Sequence, residues 1–338
     1  MTQLTRRNAL ALMGATAASP LLAQGSGGTT RINVGALRFT SHSASFIAYE
    51  RGYFTEAGLD VNFEFFQAAQ PMAIAIASGD ADYAVTAITG GLISLAQRGA
   101  TKVVGGALSE EPGIDGQKIL ASTEAYDAGL TDPSMLDGKT FGITQAGSSF
   151  HYMGSKIAAA EGAELSFRPL QNVPAIIGAI RSGQIDAWSI VPHIAKPLDS
   201  GGAARIIGNV ADYIPDYQVT TVFTSAENAA NQRAQTEAFL EAFSRGAADF
   251  NAALVDNTTD EAERDALIEL IAGYVYPDRS LDEARPSIIN GAMRINANAA
   301  LNRSSVQDQL DWFKSEDLVD AEIDYDTLVD ESYVDIIT

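Results

Sequence analysis

The chain contains three histidines, His42, His151 and His193, and each falls in a loop where it could contact a small molecule. A neutral imidazole donates one hydrogen bond, accepts another, and titrates near physiological pH. We therefore expect at least one of the three to contact a ligand, with a binding affinity that depends on pH. Their spacing has none of the character of a metal-binding motif. We expect no metal site and no cofactor.

Two serine-rich loops, SHSAS and AGSSFH, come directly before predicted helices. The first turn of a helix exposes unpaired N–H groups and carries partial positive charge, so it attracts anions. Gly147 would let the backbone approach a ligand closely. The hydroxyl donors would come from Ser41, Ser43, Ser148 and Ser149. The alternative is that these serines only cap their helices, and both roles are compatible.

Arg38 is the permanently charged cation of these loops, and its guanidinium could pair with a carboxylate, sulfonate or phosphate through two hydrogen bonds. Phe39 and Trp188 are flat side chains that could stack on a ring, or else pack behind the loops. The residues thus favour a small organic anion, or an aromatic or heterocyclic molecule with an anionic end. Glu110 and Glu111 leave open a ligand that carries an amine.

The elements that must position these residues are strands alternating with helices. RINVGAL, LDVNFEFF, DYAVTAI and KVVGGAL are predicted strands, separated by helical stretches. This order predicts an α/β fold with parallel-rich sheets and helices on both faces. Ligands of such sheets bind beyond the carboxyl ends of the strands. That rule selects residues 38–45, 67–70, 86–91, 145–151 and 189–193, and adds Gln67, Thr86, Thr89 and Gln145 to the candidate ligand contacts.

A short phrase occurs twice, as IASGDADYAV at 76–85 and AIRSGQIDAWSI at 179–190. Each copy has an apolar helix end, a Ser-Gly pair, an aspartate three residues after the glycine, and a predicted strand. Glycine closes helices because it adopts the left-handed conformation at no steric cost. Two copies suggest two lobes of similar build, although helix–glycine–strand units are common in α/β proteins.

Composition excludes several classes of function. The 338 residues include 22 basic and 43 acidic side chains, for a formal net charge of −21. A surface this acidic disfavours nucleic acid and anionic lipid as partners. The chain has no cysteine, which excludes disulfides, thiolate metal sites and cysteine nucleophiles. It also has no G-x-S-x-G motif of serine hydrolases.

The N-terminal residues are typical of an export signal. Arg6 and Arg7 precede the short apolar stretch NALALMGATAASPLLA, which ends in small residues. The pattern is similar to a twin-arginine signal. We predict a signal peptide over residues 1–24 that is cleaved near Ala23, and a mature protein in the periplasm.

Five segments together resemble the periplasmic substrate-binding proteins of ABC importers, in the branch that binds sulfonates, taurine, nitrate and thiamine precursors. They are ERGYFTEAGLDVNF (50–63), ASGDADYAV (77–85), LISLAQRGATKVVGG (92–106), LDGKTFGITQAGSS (136–149) and AIRSGQIDAW (179–188). The resemblance implies a two-lobed, hinged fold of periplasmic-binding-protein type II with a ligand cleft between the lobes. Lobe I would comprise residues 31–120 and 215–338, and lobe II residues 121–214.

The resemblance also implies a function. A small organic ligand would bind in the cleft and be delivered to an ABC permease in the membrane, by a protein that is monomeric and catalyses no reaction. Two alternatives remain open at this point. One is an enzyme on the same fold, either a hydrolase or a pyrimidine synthase, although the latter would need a cysteine-rich segment. The other is a sensory partner that presents its ligand to a membrane receptor.

Overall fold

The computed structural model describes residues 29–337, so the predicted signal peptide at 1–24 lies outside the described residues. The strands are β1 (Thr30–Leu37), β2 (Leu59–Phe66), β3 (Tyr83–Thr86), β4 (Thr101–Gly106), β5 (Lys118–Ser122), β6 (Thr140–Ile143), β7 (Ser166–Pro169), β8 (Ala187–Ile190), β9 (Ala204–Asn209), β10 (Thr221–Ser225), β11 (Leu301–Asn302) and β12 (Ile336–Ile337). Within the described range, no helix is both long enough and apolar enough to cross a lipid bilayer.

The helices connect and cover these strands. They are α1 (Ser43–Glu50), α2 (Tyr53–Glu56), α3 (Ala69–Ser78), α4 (Gly90–Gln97), α5 (Thr123–Asp127), α6 (Ser149–Glu161), α7 (Val173–Arg181), α8 (Pro192–Ser200), α9 (Ala226–Asn231), α10 (Arg233–Phe250), α11 (Glu261–Val275), α12 (Leu281–Ile289), α13 (Arg303–Ser315) and α14 (Tyr325–Leu328). The stretch SFIAYERGYFTEAG, which the sequence predicts to be one helix, forms two helices, because Gly52 adopts φ +74° and ends the first.

Two five-stranded sheets organise the molecule. The first has the order β2-β1-β3-β10-β4 and the second β7-β6-β8-β5-β9. We call the first sheet with its covering helices lobe I, and the second lobe II. Each sheet is mixed, because one strand in each runs antiparallel to its neighbours: β10 in lobe I and β5 in lobe II. These are the strands by which the chain enters a sheet from the other lobe.

The repeated sequence phrase occupies equivalent places in the two sheets. The Asp82 carboxylate accepts a hydrogen bond from the Asn33 backbone N–H at 2.8 Å, and the Asp186 carboxylate accepts one from the Thr140 N–H at 2.7 Å. Each aspartate also donates its own N–H to the carbonyl of that same residue. Asp82 thus ties the start of β3 to β1, and Asp186 ties the start of β8 to β6, which explains why the phrase occurs twice.

Two chain crossings join the lobes, one between β4 and β5 and one between β9 and β10. The C-terminal helices return to lobe I, where α10 packs against α1. Aromatic rings hold α10 in place, since Phe239 stacks on Tyr83 with the ring centroids 4.3 Å apart. Strand β5 begins at Lys118, shortly before the lobe boundary expected at residue 121. Neither β5 nor α8 is among the elements predicted from the sequence.

Candidate functional site

A small, partly open chamber lies between the two lobes. Its volume is ≈ 50 Å³, which is room for a group of a few heavy atoms. The lining comes from both lobes and from both crossings: Leu37, Phe39, Ser41, His42, Ala68, Ala69, Thr86, Ala87, Leu108, Gln117, Thr144, Ser148, Ser149, Phe150, Val173, Ile190, Val191, Val219 and Thr220. Many of these residues follow the carboxyl ends of β1, β3, β6 and β8, as expected for open α/β sheets.

A larger open space, which we call the outer cleft, adjoins the chamber. Its volume is ≈ 600 Å³. Leu37, Phe39 and Val173 line both spaces. The other residues of the outer cleft include Arg38, Gln67, Arg181, His193, Tyr276, Asp278 and Arg279. A solute that fills the chamber could therefore extend past Phe39 into the outer cleft.

The lobes touch each other beside the chamber. The Val173 N–H of lobe II donates to the Gln67 carbonyl of lobe I at 3.3 Å, and the Gly90 N–H donates to the Gly147 carbonyl at 2.9 Å. Gly147 has φ +73°, and a Cβ atom there would lie 3.6 Å from the Gly90 nitrogen. A glycine is thus favoured at this contact by its backbone conformation more than by lack of space.

His42 lines the chamber and carries a buried hydrogen-bond donor. Its Nδ1 accepts the Leu37 backbone N–H at 3.3 Å, so the proton of the neutral ring lies on Nε2. Burial lowers the pKa of His42 to about 3, and the side chain is 1% exposed. Nε2 has no protein partner among the described residues, which leaves its N–H available for an acceptor on a ligand.

His193, at the start of α8 in lobe II, is also buried and neutral. Burial lowers its pKa to about 3, and the nearby His42 disfavours the charged form further. Neither ring nitrogen has a partner within the described residues. The Phe39 ring packs edge-on against both histidines, with centroids 5.2 Å from His193 and 6.1 Å from His42. Phe39 therefore contacts a histidine of each lobe.

Neutral polar groups complete the chamber. Ser148 caps α6 by accepting the His151 N–H at 3.4 Å, and Ser148 and Ser149 both line the chamber. The side-chain Nε2 of Gln117 is buried without a partner in the described structure. Thr86, Thr144 and Thr220 add hydroxyls. None of the described residues that line the chamber is Asp, Glu, Lys or Arg, so its donors are uncharged.

The structure places the sequence-predicted residues in three groups. Phe39, Ser41, His42, Thr86, Ser148 and Ser149 line the chamber, while Arg38, Gln67 and His193 line the outer cleft. Ser43, Thr89, Gln145, Gly147, His151 and Trp188 line neither space. Thr89 caps α4 by accepting the Leu92 N–H, Trp188 is fully buried against Phe150, and His151 packs between Phe167 and Trp312.

Sequence reasoning missed Gln117, Thr144, Thr220, Arg181 and Arg279. Gln117 and Thr220 lie in the two crossings, where no helical or strand periodicity marks them. Arg181 ends α7, and only the approach of the two lobes brings it to the outer cleft. The position of Gln117 on the crossing from lobe I to lobe II could have identified it, because any residue on that crossing lies close to both lobes.

A family model described as NMT1/THI5 like matches residues 39–253. The chain belongs to the NMT1/THI5-like family. The matched region contains both crossings and all of lobe II. A comparison with curated protein sequences gives no match.

Three solved structures show which fold this family member has. The ligand-binding component of an ABC-type import system from Staphylococcus aureus, with zinc bound, is 17% identical, with a TM-score of 0.68 over 90% of this chain and 98% of that one. The alkanesulfonate-binding protein SsuA from Xanthomonas axonopodis pv. citri, bound to MOPS, is 17% identical, with a TM-score of 0.67 over 86% and 94%. The periplasmic nitrate-binding protein NrtA from Synechocystis PCC 6803 is 14% identical, with a TM-score of 0.69 over 88% and 84%. The fold is therefore that of periplasmic binding proteins.

In this NMT1/THI5-like chain, the buried carboxyl group of Glu110 holds the backbone of Gln117, a residue that lines the chamber. Oε1 of Glu110 accepts the Gln117 backbone N–H at 2.9 Å, while Oε2 has no partner in the described part of the chain. Burial raises the pKa of Glu110 to about 7, while the backbone N–H and the nearby side-chain amide of Gln117 act to lower it. Its neighbour Glu111 forms an ion pair with Arg294 at 2.9 Å. Neither glutamate lines the chamber, so they are not placed to hold an amine there.

Proposed function

We propose that this protein captures a small solute with an oxyanion or similar acceptor group, of the sulfonate or nitrate type, and delivers it to an ABC permease. The chamber would hold that group between the lobes. The fold is shared with the sulfonate- and nitrate-binding proteins described above, and no step of the proposed cycle needs catalysis. The mature protein would act as a monomer in the periplasm after removal of the twin-arginine-like signal at residues 1–24.

The observation that carries the proposal is the set of unpartnered donors inside an interlobe chamber. Nε2 of His42 and Nε2 of Gln117 are both buried without protein partners in the described residues. An unsatisfied buried donor costs about 1–3 kcal/mol. A ligand acceptor would remove that cost, and charge-assisted hydrogen bonds are roughly twice as strong as neutral ones. Because His42 belongs to lobe I and Ser148 and Ser149 belong to lobe II, one ligand in the chamber would hold the lobes together.

The N terminus of α6 strengthens the case for an acceptor-rich group. Its first residue, Ser149, and its cap, Ser148, both line the chamber. The first turn of a helix carries partial positive charge, which favours an anion without any charged side chain. Neutral donors of this kind would bind an oxyanion. The empty chamber would then carry no permanent charge.

Thermal unfolding with a panel of small oxyanions tests the function. Nitrate, methanesulfonate, taurine and benzenesulfonate would be added to the purified protein, with chloride at equal ionic strength as the control. A ligand at one hundred times its Kd stabilises a protein by about 2.7 kcal/mol, so the Tm should rise for at least one compound. Native mass spectrometry should then show one bound molecule per chain. The absence of any shift across the panel, with well-folded protein, would contradict the proposed ligand class.

A further inference from the structure

Three arginines line the outer cleft: Arg38, Arg181 and Arg279. Asp278 is the one acidic residue among the described residues that line it. None of the three arginines forms an ion pair with a carboxylate in the described structure, whereas Arg51, Arg245, Arg285, Arg294 and Arg303 all do. The outer cleft is therefore a net cationic surface on a chain with a formal net charge of −21.

The chamber is too small to hold an organic solute of more than a few heavy atoms. Its ≈ 50 Å³ contrasts with ≈ 600 Å³ in the outer cleft. Leu37, Phe39 and Val173 border both spaces, so the two adjoin each other. Any solute with more than a few heavy atoms must place the rest of its structure beside Phe39 and the arginines.

The geometry points to a ligand with two polar ends, one of them acidic and held by the arginines of the outer cleft. This inference rests on the proposed function and adds a substrate class to it. The acceptor group at one end occupies the chamber. A carboxylate, sulfonate or phosphate at the other end pairs with Arg38, Arg181 or Arg279. A short apolar or aromatic spacer between them lies against Phe39 and Phe65.

The orientation of Arg38 suits this role. Its guanidinium lies over the Phe65 ring, 3.8 Å from the centroid, and donates one hydrogen bond to the Tyr274 carbonyl at 2.7 Å. The stacked ring and the carbonyl fix the plane of the guanidinium and leave its other N–H groups available. A planar, oriented fork of donors matches a carboxylate or sulfonate better than a flexible ammonium does. Arg279 is held in a similar way over Tyr276, at 5.0 Å.

A matched pair of ligands tests the inference. Isothermal titration calorimetry would compare 4-sulfobenzoate, which has two acidic ends, with benzenesulfonate, which has one. We expect 4-sulfobenzoate to bind about tenfold more tightly, because a charge-assisted pair with arginine is added. The ratio of the two affinities should fall towards one in Arg181→Gln and in the triple variant Arg38→Gln/Arg181→Gln/Arg279→Gln. The control is Arg98→Gln, an exposed arginine that lines neither space, and it should keep the wild-type ratio.

The possible outcomes separate this inference from the proposed function. Equal affinity for the two compounds would overturn the two-ended ligand and leave the capture function standing. A preference for 4-sulfobenzoate that survives in both arginine variants would also overturn it. Binding of neither compound, when nitrate or methanesulfonate does bind, would overturn the two-ended ligand alone. If no oxyanion binds at all, the proposed function falls and this inference falls with it.

Discussion

The chamber and the outer cleft adjoin each other and use opposite means of recognition. The chamber is small and buried, and it has uncharged donors that the backbone holds in place, as Leu37 does for His42. The outer cleft is wide and exposed, and two of its arginines, Arg38 and Arg279, lie over aromatic rings. A buried neutral donor selects by geometry, and an exposed cation attracts by a field that salt weakens. The comparison suggests that the chamber sets specificity and the outer cleft assists capture.

The largest effect is expected from a substitution that fills the chamber and leaves the outer cleft unchanged. Ala87 lines it, and Ala87→Leu would place three more carbon atoms in a space of ≈ 50 Å³. We expect benzenesulfonate binding to weaken by at least about a hundredfold, which corresponds to about 2.7 kcal/mol. The matched control is Ala159→Leu, at an exposed position on α6. Calorimetry on both variants measures the effect, and wild-type affinity in Ala87→Leu would show that the chamber is not the site.

The buried carboxyl group behind the chamber predicts a pH-dependent stability. Burial raises the pKa of Glu110 to about 7, so its stabilising neutral form is fully present below about pH 4.5 and is lost as the pH rises through 7. Glu110→Gln should therefore unfold with a free energy about 2 kcal/mol higher than wild type at pH 8. The two proteins should be alike near pH 4.5. Urea unfolding at both pH values measures this, and an equal difference at both would contradict the raised pKa.

His193 should lower the stability of the protein at low pH, whereas Glu110 lowers it at high pH, because His193 is buried in its neutral form. Its pKa falls from 6.5 to about 3 on burial, so the stability that it allows is present above pH 6.5 and is lost as the pH falls towards 3. Between pH 6 and 4 the free energy of unfolding should fall less steeply in His193→Leu than in wild type, by up to about 1.4 kcal/mol per pH unit. Unfolding titrations at closely spaced pH values measure the slope. Identical slopes would show that His193 is open to solvent in the native protein.

The smallest effect should come from one chamber donor. Gln117→Met keeps the size of the side chain and removes an amide that has no partner in the described structure, while the backbone bond to Glu110 remains. The free protein should lose at most the weak interaction of that amide with the Glu110 carboxyl group. Benzenesulfonate binding should weaken by about fivefold, because a net hydrogen bond is worth about 1 kcal/mol. A loss of stability with unchanged affinity would place Gln117 in the fold and outside the site.

The sequence predicted the fold better than it predicted the site. The alternation of strands and helices and the repeated Ser-Gly-x-x-Asp phrase are local patterns, and both lobes follow from them. The mixed direction of the sheets could not be predicted in this way, since β5 and β10 are antiparallel only because they cross between lobes. Local patterns say nothing about a pairing that is set by the other lobe.

The same limit of local patterns explains which candidate ligand contacts line the chamber and which do not. Loops after parallel strands were identified from the sheet order, and His42, Thr86 and Ser148 line the chamber as that rule suggests. Arg38 was expected to pair with an anion at the same loops as the serines, yet it lines the outer cleft. Adjacent residues of an extended segment point in opposite directions, so the neighbours Arg38 and Phe39 need not face the same space. Arg181 and Gln117 depend on the approach of the lobes, which no local pattern encodes.

The central claim is that one solute lies between the lobes and accepts hydrogen bonds from uncharged donors in the chamber. A crystal structure of the protein with the compound that raises its Tm most tests this directly. We expect one molecule per chain, with an acceptor atom about 3 Å from Nε2 of His42 and Nε2 of Gln117. A molecule bound only at the arginines of the outer cleft, with the chamber filled by water, would contradict it.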